Sequence, residues 1–156
     1  MFEPTRFAVK TANARSTTSI LNAVDKAMLN ASVGELNLIK VSSILPKGIS
    51  RVDELSGNKG EFIPAVISRA AGSSQELMAG LAWGFREGGG GGYVVEHSVK
   101  GREIQKEDFQ HTLEKKLREM AEARDSILDD VKLEYSGMEV SEDEYGCVMS
   151  VLVYLP

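Results

Sequence analysis

The chain has 156 residues but only one cysteine and two histidines, and these shortages remove most of the usual catalytic constellations. Cys147 has no partner for an internal disulfide and no second thiolate for a Cys-based metal site. It sits in the apolar, strand-like run Gly146-Cys147-Val148-Met149, which predicts a buried structural thiol rather than a nucleophile. His97 falls in a strand pattern and His111 in a helical one, between Phe109 and Leu113, so both are expected to be packed or solvated. A zinc site needs three or four ligands at suitable spacing, and the sequence offers no such set, so no metal is expected.

Other absences narrow the setting. No apolar run reaches the roughly 18–20 residues that span a bilayer. The opening Met1-Phe2-Glu3-Pro4-Thr5-Arg6 lacks the charged-then-apolar layout of a secretory signal, so the expectation is a cytoplasmic protein with no membrane partner. With a net charge of −5 and no basic block longer than Lys115-Lys116, nucleic acid is disfavoured as a partner. A mildly acidic surface suits a small cationic substrate instead. Apolar residues at 42% and charged residues at 26% describe one globular domain with a real core.

What is present reads as alternating strands and helices. Arg6–Lys10 predicts a short strand, and Ser16–Ser19 offers N-caps for a helix with Ile20, Val24, Ala27 and Met28 on one face. Leu36–Val41 is a strand rich in branched residues, ending at Ser42-Ser43-Ile44-Leu45-Pro46. Lys47–Gly60 reads as a surface loop. Phe62–Ala71 is a strand whose Pro64 marks an edge or an irregular start. Ser73-x-x-Glu76 has the form of a capping box, predicting a helix that holds Leu77, Leu81 and Trp83 and is broken by the five glycines Gly88–Gly92. Tyr93–Val99 is a strand, and the longest helix starts near Lys106 with Phe109, Leu113, Leu117 and Met120 as its stripe. Val131–Tyr135 alternates as a half-buried strand does, and Tyr145–Leu155 is a continuous apolar strand. The order β-α-β-β-α-β-α-β-β implies a single layered α/β domain.

The glycine run leads into a strand, whereas phosphate-binding and dinucleotide-binding loops open helices, so a turn is expected there. The informative segment is Leu29-Asn30-Ala31-x-x-Gly34-x-x-Asn37-Leu38-Ile39-Lys40-Val41-Ser42-Ser43-Ile44-Leu45-Pro46, preceded by Asn22-Ala23-x-Asp25. It resembles the self-processing segment of pyruvoyl-dependent arginine decarboxylases. Phe62-Ile63-Pro64, the strand carrying Glu96, the Arg118–Ala121 helix and the Gly146-Cys147 strand follow in that family's order, so the resemblance covers residues 18 to 155.

The resemblance implies a definite chemistry. Decarboxylating an α-amino acid leaves a carbanion at Cα, and a carbonyl that forms a Schiff base with the substrate amine supplies the electron sink. A pyruvoyl group derived from Ser43 is such a carbonyl. The Ser43 hydroxyl attacks the Ser42 carbonyl to give an ester, β-elimination cuts the chain, and hydrolysis of the resulting dehydroalanine releases ammonia. The products are a β chain of residues 1–42 and an α chain of 43–156. Asn37 is implied as a donor to the oxyanion formed at Ser42, and period-two counting puts it on Ser43's face of the strand. Glu96, with Val94 and Ser98 on its own face, is implied as the acid that returns a proton to Cα. Asp25 is implied as the carboxylate that meets the substrate guanidinium.

The implied fold is a four-layer αββα sandwich, assembled as a homotrimer of αβ protomers with sites between neighbours, an arrangement that leaves room for trimers to pair. The implied reaction converts L-arginine to agmatine and carbon dioxide, a step towards polyamines. Two alternatives stay open: the same cofactor acting on another amino acid, and a non-catalytic trimeric scaffold in which processing fails.

Overall fold

The strand Tyr145–Leu155 is buried at every position after the first, because it runs through the middle of a sheet covered on both faces. The computed structural model describes all residues from Met1 to Pro156. Its elements are β1 (Arg6–Ser16), α1 (Ile20–Asn30), β2 (Asn37–Lys40), β3 (Ile44–Leu45), β4 (Ser50–Arg51), β5 (Phe62–Gly72), β6 (Gln75–Arg86), β7 (Gly92–Gly101), α2 (Lys106–Glu122), β8 (Leu128–Val140) and β9 (Tyr145–Leu155). They form a five-stranded sheet ordered β2-β5-β9-β1-β4 and a four-stranded sheet ordered β3-β7-β6-β8.

Both faces of each sheet carry apolar side chains. Phe7, Val66 and Leu152 of the larger sheet meet Leu81, Trp83 and Val94 of the smaller one, and Ala70 and Val148 meet Leu77 and Val140 further along. On the other side of the larger sheet, Ala14 and Cys147 pack on Ala23 and Ala27 of α1. On the other side of the smaller sheet, Met78, Ala82 and Tyr93 pack on Phe109, Leu113 and Leu117 of α2. Helix α1 starts at Ser19, whose hydroxyl accepts from the Asn22 amide. Its buried residues are Ala23 and Ala27, whereas Ile20, expected on the buried face, is 45% exposed.

One sequence-based expectation fails outright. The segment opened by Ser73-x-x-Glu76 is a strand, β6, and not a helix. Leu77, Leu81 and Trp83 face the other sheet while Met78 and Ala82 face α2, so the run is apolar throughout and carries no period to mark it as a strand. The two supposed capping side chains are used elsewhere. Ser73 Oγ donates to the carbonyls of Ser141 and Glu144, and the Glu76 carboxylate accepts from the Ile104 amide. The glycine run therefore breaks no helix; it turns the β6–β7 hairpin, with the Arg86 amide bonded to the Gly91 carbonyl. Two smaller differences concern extent. β1 continues to Ser16, and the loop from Lys47 holds the short strand β4 and the buried Ile49. Pro64 stands at an irregular start, since β9 pairs with β5 only from Ala65 onward.

The glycines of that turn are not equivalent. Gly88 and Gly91 both have left-handed φ, +74° and +86°, but a Cβ on Gly88 would meet nothing, whereas one on Gly91 would lie 2.3 Å from the Leu45 carbonyl oxygen of β3. Gly88→Ala is expected to cost about 1 kcal/mol for the left-handed backbone alone. Gly91→Ala adds a backbone clash and should cost about 3 kcal/mol or more. Urea denaturation of both variants measures the difference, and equal losses would show that β3 does not press on Gly91.

Candidate active site

β2 and β3 lie at edges of different sheets, and the residues Val41, Ser42 and Ser43 carry the chain from one to the other. The Val41 amide donates to the Ala65 carbonyl at 3.1 Å, the last bond to the larger sheet. The Ser43 carbonyl accepts from the Val94 amide at 3.1 Å, the first bond to the smaller one. Immediately after, the Tyr154 hydroxyl donates to the Ile44 carbonyl at 2.8 Å, and Leu45 is buried. Between these anchors the Ser42 amide, the Ser42 carbonyl and the Ser43 amide make no hydrogen bond within the chain. Ser42 is exposed and Ser43 half-buried. The Ser42–Ser43 peptide is thus pinned on both flanks and held outside both ladders.

Past this crossover the edges of β5 and β7 are uncovered, because β2 pairs only as far as Ala65 and β3 only with Gly92 and Tyr93. They border a cleft of about 510 Å³ whose lining includes Lys40, Ser68, Arg69, Glu96, His97 and Lys116. Glu96 stands two residues beyond Val94, so alternation puts it on the face that Val94 turns into the core between the sheets, here reaching the mouth of the cleft. Lys40 Nζ lies 3.4 Å from Glu96 Oε1, an ion pair across the two sheets. Ser68 is buried; its hydroxyl donates to the His97 carbonyl at 2.6 Å and accepts from the Gly80 amide at 3.1 Å. These bonds fix the depth at which β7 sits over β5.

The other face of β7 meets α2. The His97 ring lies on Phe109 with centroids 5.2 Å apart, and its Nδ1 is 2.9 Å from Lys116 Nζ. Burial, and then the Lys116 charge, hold His97 below the ordinary histidine range. A neutral ring accepting from the lysine ammonium follows. Lys116 also donates to the Glu96 backbone carbonyl at 3.4 Å.

The family model described as Pyruvoyl-dependent arginine decarboxylase (PvlArgDC) matches residues 6–156. The chain belongs to that family. It is similar to proteins named pyruvoyl-dependent arginine decarboxylase from Pyrococcus furiosus, at 29% identity over 86% of this chain and 85% of that one. The same name is carried by relatives from Thermococcus sibiricus, at 28% over 96% and 95%, and from Methanothermobacter thermautotrophicus, at 30% over 86% and 87%. The family name carries both a reaction class, decarboxylation, and a covalent pyruvoyl cofactor.

Of the residues singled out from the sequence, the fold brings Ser42, Ser43 and Glu96 to one place through the Ser43–Val94 bond. It does not bring Asn37 there. Asn37 opens β2, its side-chain amide donating to the Gly60 carbonyl at 2.8 Å. Six residues of extended chain separate it from Ser43, roughly 20 Å, so a shared strand face gives no contact within one chain. Asp25 is exposed on α1 and forms no ion pair within the chain; Leu21 and Leu29, one turn before and after it, are 77% and 49% exposed. Lys40, Ser68, Lys116 and Tyr154 are site residues that sequence reasoning did not find. Only Lys40 had a usable signal, standing two residues before Ser42 on the same strand side. Cys147 is fully buried, and burial pushes its thiol up to about 11 against a small opposing effect of Arg69, which fits the structural role expected for it.

The His97 environment sets a pH dependence. The unfolded chain takes up a proton near the ordinary histidine value of about 6.5, before the folded protein does. Stability should therefore fall as pH drops below that value and level off once the folded ring is also protonated. His97→Gln should flatten the part of the stability curve just below the ordinary histidine value, read by denaturant midpoints. An unchanged slope would mean that the ring is not held neutral.

Proposed function

We propose that this chain is a self-processing, pyruvoyl-dependent decarboxylase that converts L-arginine to agmatine, a polyamine precursor, and carbon dioxide. The observation that carries the reading is the bond from the Val94 amide to the Ser43 carbonyl, which keeps residue 43 within two residues of Glu96 on β7. In this reading the Ser43 hydroxyl attacks the exposed Ser42 carbonyl, and the chain is cut into a β chain, 1–42, and an α chain, 43–156. Both new ends already have anchors: Val41 on Ala65 for one, Ser43 on Val94 and Ile44 on Tyr154 for the other. A group made from Ser43 fits here because its anchoring bond uses the carbonyl on the far side of residue 43 from the cut. That group supplies a carbonyl that condenses with the substrate amine and accepts the electron pair left at Cα. The chain's own residues do the rest. Glu96 returns the proton to Cα, and Asp25 pairs with the guanidinium.

The same reading makes the protein a single domain, a four-layer αββα sandwich, acting as a homotrimer. Support for the layers comes from the apolar contacts of α1 and α2 with the outer faces of the two sheets. Support for assembly comes from what one chain leaves undone. The Ser42 carbonyl has no donor of its own, Asn37 is bonded to the Gly60 carbonyl, Asp25 has no ion-pair partner, and Leu21, Leu29, Ile39, Ile44 and Phe62 are exposed on α1, β2, β3 and β5. A neighbouring protomer that covers these apolar residues can supply Asn37 to the oxyanion and Asp25 to the substrate.

Substrate and proton donor are tested together. Carbon dioxide release is measured with arginine, lysine, ornithine, histidine and aspartate on wild type, Glu96→Gln and Asp25→Asn. Arginine should be the best wild-type substrate. Glu96→Gln should lose on the order of 10²–10⁴ in rate for every substrate. Asp25→Asn should lose roughly 2–5 kcal/mol of arginine binding, more than tenfold in KM, and nothing for uncharged side chains. Aspartate or histidine as the best substrate would contradict the arginine assignment, and an equal loss for all substrates in Asp25→Asn would make that residue structural.

A further inference from the structure

The cleft beside the crossover carries three cations, Lys40, Arg69 and Lys116, against one carboxylate, Glu96. Lys116 is already committed to His97 and to the Glu96 backbone carbonyl, so it leaves the Glu96 carboxylate to Lys40. That pair is loose. Its nitrogen and oxygen stand 3.4 Å apart, and the two side chains are 68% and 38% exposed, so it is an ion pair that another carboxylate can replace.

We infer that Lys40 changes partner when the chain is cut: it holds the Glu96 carboxylate in the intact chain, and afterwards it holds the carboxylate that cleavage creates on Ser42, which frees Glu96 for the reaction. The inference rests on the self-processing proposed above. Cutting converts a neutral peptide into a charged end. The Ser43 hydroxyl takes the Ser42 acyl group as an ester while the Ser42–Ser43 C–N bond breaks and the nitrogen takes the hydroxyl proton. Ser43 then gives up its Cα proton, its Cβ–Oγ bond breaks, and Ser42 leaves with the electron pair as a carboxylate. Water then replaces nitrogen at Cα of residue 43, ammonia departs, and no oxidant or reductant is needed. The net local change is one negative charge placed two residues after Lys40.

Geometry favours the exchange. Residues two apart on an extended chain share a side, and their separation of roughly 6–7 Å matches the reach of a lysine side chain. Before the cut, Val41–Ser43 strap the end of β2 to β7, since the Val41 amide is bonded to Ala65 and the Ser43 carbonyl to Val94. That strap draws Lys40 towards Glu96, which lies on the other sheet. After the cut β2 keeps its bonds to β5, the strap is gone, and the nearest carboxylate on the same strand is the new terminus.

Crystal structures of the uncut Ser43→Ala protein and of the processed wild type test this directly. In Ser43→Ala, Lys40 Nζ should remain within about 4 Å of a Glu96 carboxylate oxygen. In the processed protein it should lie within about 4 Å of a Ser42 terminal oxygen and beyond that distance from Glu96. Lys40 still paired with Glu96 beside a cut Ser42–Ser43 bond overturns the exchange and leaves the processing standing. A wild-type chain that stays uncut removes both.

Discussion

Three residues have to cross from the edge of one sheet to the edge of another, and the arrangement of the site follows from that constraint. A strand that ends at Lys40 and resumes at Ile44 cannot satisfy its backbone in either ladder while it crosses. Val41 takes the last acceptor of the larger sheet and Val94 supplies the first donor of the smaller one. What lies between them is a peptide held by its neighbours and free of its own bonds. A peptide bond so placed can be attacked and broken without dismantling a ladder, and its two ends stay where they were.

The crossover holds its position because the sheets beneath it are fixed relative to each other. β9 and β6 are buried along nearly their whole length, so each sheet is locked on both faces. Two buried hydroxyls set the spacing: Ser68 bonds to the His97 carbonyl and the Gly80 amide, and Ser150 donates to the Ala79 carbonyl at 3.2 Å. Gly91 lets the β6–β7 turn approach the Leu45 carbonyl, which seats β3 beneath the turn. Each is a polar or small residue in a buried position: the two serines set how the sheets stack, and Gly91 sets how closely β3 lies against the turn. Uncovered edges of β5 and β7 then give the cleft access from solvent.

Much of this was legible in the sequence. β9 and α2 announce themselves by a long apolar run and by a 3.6-residue stripe, and both occupy nearly the predicted spans. The Ser42-Ser43 segment pointed to the family. The misread element, β6, is buried on both faces, and burial on both faces erases the period that separates strand from helix. Asn37 shows a second limit: alternation reports the face of a strand, not the distance along it. Ser68 and Tyr154 acquire their roles only when β5 and β9 are brought beside β3 and β7, and nothing local marks them, whereas Lys40 stands two residues before Ser42 on the same strand side.

The central claim is that this chain cuts itself between Ser42 and Ser43 and builds a carbonyl group on the second residue. Intact-mass analysis of purified wild-type protein, with terminal sequencing of the separated fragments, tests it most directly. The account predicts two polypeptides that remain associated under native conditions, the smaller ending at Ser42 and the larger starting at position 43 with a residue that has lost its amino group. A single chain of full length in folded protein after prolonged incubation would contradict it.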